Sequence, residues 1–171
     1  HPAGLVRMTP GKRNGKRVLD AWIDTLFASA ASGAAIGGRL FSLDGGDVAE
    51  LDLPAIDPAD AHERLGALIA AMRSGLRAPL PLLPRESWGA LKADRAQGPS
   101  DFGEFQQDLR KAANAEAHDD RGSEGADFRE PAVRIAWRGV DFTTLDEPLA
   151  RTFFDVARAL LPVPDPGASK P

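Results

Sequence analysis

The sequence predicts an α/β fold in which a small mixed sheet is flanked by helices. Three stretches carry that expectation. Val18, Leu19, Trp22, Ile23, Leu26 and Phe27 recur at helical spacing and form a broad apolar stripe. Gly37–Leu43 and Val48–Leu53 read as two short strands joined by the turn Asp44-Gly45-Gly46-Asp47. In Val133–Gly139, the apolar Val133, Ile135 and Trp137 alternate with Arg134, Ala136 and Arg138, the period of a strand with one buried face. The amphipathic stretch Thr143–Leu161 that follows lays a helix against such a sheet.

Taken in order, Gly4–Thr9 is short and compatible with a strand, and Pro10–Lys16 is a turn-rich basic run. The first helix begins after it and stops at Gly33, where a residue without Cβ can turn the chain left-handed. Pro54 ends the strand pair. Asp57 is a good N-cap, Pro58 sits where the first turn tolerates proline, and Asp60 favours the positive end of the helix. Leu65, Leu68, Ile69, Met72 and Leu76 give this second helix an apolar face. The three prolines of Ala78–Pro84 exclude helix and central strand, so Leu80, Leu82 and Leu83 run extended and need burial against something. Arg85–Ala96 forms a short helix that turns Trp88 and Leu91 inward, and Gly98-Pro99 breaks it. Ser100 or Asp101 starts another helix, with Phe102, Phe105, Leu109, Ala112 and Ala113 on one face. His118–Phe128 is acidic and aperiodic and reads as a loop.

Thr144 with Glu147 fits a capping box for the last helix, and Asp146 is the alternative start. Leu149, Phe153, Val156 and Leu160 form one row of it, and Ala150, Phe154, Ala157 and Leu161 the row beside it. Two adjacent rows imply burial over a wide arc.

The 171 residues suffice for one real core. The organisation expected is a single α/β domain over 1–162 and a flexible, proline-rich tail over 163–171. The first residue is His rather than Met, which suggests a fragment of a longer chain. With Lys and Arg at 21 against Asp and Glu at 25, the net charge of −4 argues against a free-standing nucleic-acid binder, whose affinity comes mostly from neutralising phosphates. There is no Cys, so disulfides, thiolate metal sites and Cys nucleophiles are excluded together. Neither a signal peptide nor a long apolar run occurs, which points to a cytoplasmic protein without membrane contact.

The chemistry expected is correspondingly thin. His118, Asp119, Asp120 and Glu124 are the most ligand-like cluster and the basis of one alternative, a metal-dependent DNA nuclease or hydrolase. They lack the offsets of a calcium loop, and a solvated acidic loop is the simpler reading. His62 lies between Ala61 and Glu63 on a helix and needs no role beyond packing or exposure. Glycine-rich phosphate loops, dinucleotide fingerprints and the G-x-S-x-G elbow are absent. The residues two places before Lys12, Lys16, Lys92, Lys111 and Lys170 are Pro10, Asn14, Ala90, Leu109 and Ala168, so the chain holds no Asp/Glu-x-Lys triplet. A two-carboxylate metal site would then have no lysine to stabilise the developing phosphate charge. No catalytic residue, metal ligand or cofactor is expected. Lys12, Arg13, Lys16 and Arg17, ahead of a helix start, are the candidate DNA contacts, and carry the second alternative, a stand-alone DNA-binding module. Leu80, Leu82, Leu83 and Trp88 are the candidate partner interface. If those leucines are buried inside the domain, that stretch is core instead.

The order of segments resembles a known family. A helix with Ala21-Trp22-Ile23, the Arg39-Leu40-Phe41 strand, a helix ending before Pro79-Leu80-Pro81-Leu82-Leu83-Pro84, an acidic loop, Val133–Gly139 and a closing helix together resemble the C-terminal domain of the RecC-type gamma subunit of exodeoxyribonuclease V. The Pro-Leu-Pro run followed by Trp88, and Arg138-Gly139 followed by the Phe153/Phe154 helix, are the most specific matches. The resemblance covers nearly all of Val6–Pro162. It implies a restriction-endonuclease-like core that has lost its active site, acting as a scaffold in a helicase–nuclease that processes double-strand breaks. The implied partners are the alpha and beta subunits, with the alpha-subunit helicase docked on this domain and DNA reached through the complex.

Overall fold

A computed structural model gives the architecture and describes residues 4–44, 46–92, 100–118 and 127–163. Strand β1 (Leu5–Thr9) leads into helix α1 (Gly15–Ser32), which crosses to β2 (Ile36–Asp44), and β2 turns back into β3 (Asp47–Ile56). β2 is the central strand, parallel to β1 and antiparallel to β3. The small mixed sheet expected from the sequence is therefore present, with α2 (Pro58–Gly75), α3 (Pro84–Leu91), α4 (Phe102–His118), α5 (Pro131–Ala136) and α6 (Glu147–Leu160) as the further α-helices among the described residues.

The ends of α1 and α2 follow their local chemistry. Asn14 accepts a hydrogen bond from the backbone N–H of Arg17 at 3.1 Å, and Gly33 closes α1 with φ 70°. Asp57 caps α2 by accepting from Ala59 and Asp60. α1 lies close on the sheet: a Cβ on Gly38 would stand 2.6 Å from Oγ1 of Thr25. The Ser29 hydroxyl donates to the carbonyl of Ile56 at 2.6 Å and so ties the last turns of α1 to the end of β3.

One core runs through the domain. Val18, Trp22 and Leu26 of α1 meet Leu40 and Leu53 of the sheet on one side, and Leu83, Trp88 and Leu91 on the other. Phe105 and Leu109 of α4 and Phe153, Phe154 and Leu161 at α6 extend it away from the sheet. Phe154 stands edge-on to Phe105 at 5.2 Å between ring centres, and Phe153 packs against Trp137 at the same separation.

Several expectations are corrected. Val133–Gly139 is not a strand: Pro131–Ala136 is helix α5, and Trp137 is its C-cap. Val133 and Trp137 are four apart, so the spacing that fits alternate strand positions also fits one helical face, and both pack against the core while Ile135 is 70% exposed. Pro131 in the first turn favours the helix. Pro54 does not end its strand either. β3 is an edge, and the pairing passes from Leu53↔Gly38 to Ile56↔Ile36, so a bulge with one extra residue takes up the proline. The last helix starts at Glu147 with Asp146 as its cap, accepting from Leu149; Thr144 instead ends a 3-10 turn, Phe142–Thr144. α3 closes at Lys92, and residues 93–96 of the helix expected there lie outside the described residues, as does 98–99. Asp127–Arg129 forms a 3-10 turn at the end of the stretch read as a loop.

Candidate functional site

α1 buries Val18, Ala21, Trp22 and Leu26 but leaves the neighbouring row beside α2: Phe27 is 58% exposed. α2 packs along α1, yet Ala61 is the only buried residue among its 18, and Ile69, Met72 and Leu76 face solvent. Between the two helices lies an open apolar groove of about 900 Å³, walled by Ile23, Phe27, Leu65, Ile69 and Met72. Among its described lining residues only His62 is polar, with Nδ1 2.7 Å from the carbonyl of Pro58. Monomeric domains seldom leave so much contiguous apolar surface uncovered unless something docks there.

The prolyl stretch divides at this groove. Leu80 and Leu82 are half-buried and line it. Leu83 is buried, and Trp88 lies in the core against α1, so neither has a surface to offer a partner. Two of the four candidate interface residues are thus core. Sequence reasoning missed Ile23, Phe27, Ile69 and Met72 as surface because an apolar stripe reads the same whether or not anything covers it.

Lys12, Arg13, Lys16 and Arg17 do gather at the start of α1, but the domain engages them. Arg13 donates to the carbonyl of Glu50 at 3.1 Å, and Arg17 to that of Lys12 at 2.6 Å. Lys16 reaches Oδ1 of Asp127 at 3.1 Å and also bonds the carboxylate of Glu130. Burial lowers the Lys16 ammonium, but its hydrogen bonds to Glu130 and Asp127 outweigh that and raise it.

Asp127 belongs to a buried clamp. Its backbone N–H donates to Oε1 of Glu86 at 2.8 Å, while its own Oδ2 accepts from the N–H of Arg85 at 2.8 Å. Burial first, and then the charge of Asp127, push the Glu86 carboxyl up to about 8, so it holds its proton at neutral pH. A shifted carboxyl is a mark of functional sites where it faces a cleft. Here Glu86 and Asp127 line none of the groove or clefts described, and they join α3 to the turn before α5.

Of the acidic cluster, Asp119, Asp120 and Glu124 lie outside the described residues. Among the described residues no group of three His, Asp or Glu side chains converges as a metal site, and no helix is long and apolar enough to cross a membrane.

Compared with known proteins, residues 1–95 match the family model described as the RecC C-terminal domain, a span that runs from β1 through α3 and holds both walls of the groove. No curated protein sequence matches the chain.

Proposed function

The chain belongs to the RecC C-terminal domain family, and from that membership we propose that it is a non-catalytic scaffold of a RecBCD-type double-strand-break-processing complex, docking the alpha-subunit helicase in the α1–α2 groove. The observation that carries the docking is the uncovered apolar surface of Phe27, Ile69 and Met72, continued by Leu80 and Leu82. A helix-in-groove or flat apolar contact buries these side chains at no cost in desolvated charge. The missing Asp/Glu-x-Lys triplet supports the non-catalytic part of this reading, since a metal site of that type would have no lysine to stabilise the developing phosphate charge. Guidance of DNA is the secondary role in this reading.

Co-purification with the alpha-subunit helicase from the same genome tests it. The expected result is a stable complex that Met72→Glu with Ile69→Glu abolishes while circular dichroism stays unchanged. Association that ignores both substitutions overturns the groove as the docking site. For the silent site, the expected result is no Mg²⁺- or Mn²⁺-dependent cleavage of linear DNA above background; cleavage lost on Asp120→Ala would establish the metal-dependent nuclease instead.

A further inference from the structure

On the side of the molecule formed by α5 and the turns around it, a second cleft of about 670 Å³ has a different chemistry. Arg129, Arg134 and Arg138 line it together with Phe128, Trp137 and Phe142, and no Asp or Glu is among its described lining residues. Arg134 lies in α5 and Arg138 in the turn just beyond its C-cap, Trp137, and both are exposed. Neither forms an ion pair among the described residues. The carboxylates nearest in sequence are committed elsewhere: Glu130 to Lys16, and Asp141 to the hydroxyls of Thr143 and Thr144. The aromatic side chains are braced from behind. Phe142 lies 4.9 Å from Phe128, 6.1 Å from Trp137 and 5.7 Å from the buried Phe153 between ring centres. The cleft therefore sets the guanidinium groups of Arg134 and Arg138, which form no ion pair among the described residues, beside held, half-exposed rings, although the chain as a whole is acidic.

A ligand that answers both features must carry spaced negative charges and flat rings. We propose that this cleft binds a short stretch of single-stranded nucleic acid, with phosphates on Arg134 and Arg138 and a base against Trp137. A single strand offers its bases for stacking, whereas a duplex hides them and presents phosphates alone. The site deepens the DNA-guiding part of the proposed function and is independent of docking, since the groove and this cleft share no residue.

The test is fluorescence anisotropy of a labelled thymidine oligonucleotide of about ten residues on the full chain. The expected result is binding that weakens with salt, that Arg134→Glu with Arg138→Glu reduces about tenfold or more, and whose log–log salt slope that pair flattens by about 1.4. Arg73→Glu, on α2, is the charge control and leaves affinity unchanged. A strand carrying 5-iodouracil is expected to photocrosslink to the peptide containing Trp137. Unchanged affinity in the double variant, an equal loss in Arg73→Glu, equally tight binding of a duplex of the same length, or crosslinks confined to other peptides would each overturn the site. Met72→Glu, which is expected to break docking, is expected to leave this binding intact, so failure of one proposal is distinguishable from failure of the other.

Discussion

The ammonium of Lys16 stands 3.1 Å from Oδ1 of Asp127, a carboxylate whose residue is 1% exposed. A cation that looks, in the sequence, like one of a solvated basic run is therefore the counter-charge of a buried acid. Removing one partner of a buried pair strands the other, which costs several kcal/mol in the dry limit. Asp127 retains the N–H of Arg85 and the nearby Arg85 guanidinium at 3.8 Å, which soften the loss. Lys16→Met is expected to destabilise the domain by about 2 kcal/mol, read as a lower urea midpoint at unchanged slope.

Glu86 gives the domain a pH dependence of opposite sign to that of an ordinary salt-bridged carboxylate. Its carboxyl is raised from 4.5 to about 8, so between those values the folded state binds a proton that the unfolded state has released. That contribution is full at acid pH and is lost as pH rises toward 8, with a slope of at most about 1.4 kcal/mol per pH unit. Glu86→Gln keeps the acceptor for Asp127 and removes the titration. Its melting temperature is expected to stay flatter from pH 6 to 9 and to exceed that of the parent above pH 8.

Gly15, which opens α1, and Gly33, its C-cap, separate close approach from backbone strain. A Cβ on Gly15 would fall 1.7 Å from the carbonyl oxygen of Pro84, whereas one on Gly33 meets nothing within 4 Å. Gly15→Ala must move α3 away from α1 and is expected to cost about 3 kcal/mol. Gly33→Ala pays only for φ 70° and is expected to cost about 1 kcal/mol. Chemical denaturation of the two variants side by side distinguishes them.

Met72 is 60% exposed and Ile69 47%. Met72→Glu is accordingly expected to change stability by no more than about 0.5 kcal/mol, while lowering the fluorescence of an apolar dye bound to the chain. A large loss of stability would place Met72 in the core and remove it from the groove.

The local signals were legible where a few neighbouring residues decide the outcome. Asp57-Pro58 starts α2 and Gly33 stops α1 because caps and left-handed turns are settled within one turn of chain. The hairpin of β2 and β3 was legible for the same reason. Val133–Gly139 was not, because strand and helix share the Val133-to-Trp137 spacing, and only Ile135, left in solvent, separates them. Lys16 misled because one of its partners, Glu130, is 114 residues away. The groove and the arginine cleft were hidden differently. Residues were legible as apolar or basic, but whether a side chain faces the core, a neighbour or water depends on how α1, α2 and α5 are laid down.

The continuity of the core from α1 to α6 among the described residues has a consequence for cooperativity. The family match ends at residue 95, yet Leu83, Trp88 and Leu91 within it are covered by Phe105, Leu109, Phe153 and Leu161 beyond it. The matched residues therefore do not close a core of their own. A protein ending there would present a raw hydrophobic seam where α4 and α6 belong, and is expected to aggregate, while the full chain melts in one transition in which the sheet and the C-terminal helices are lost together.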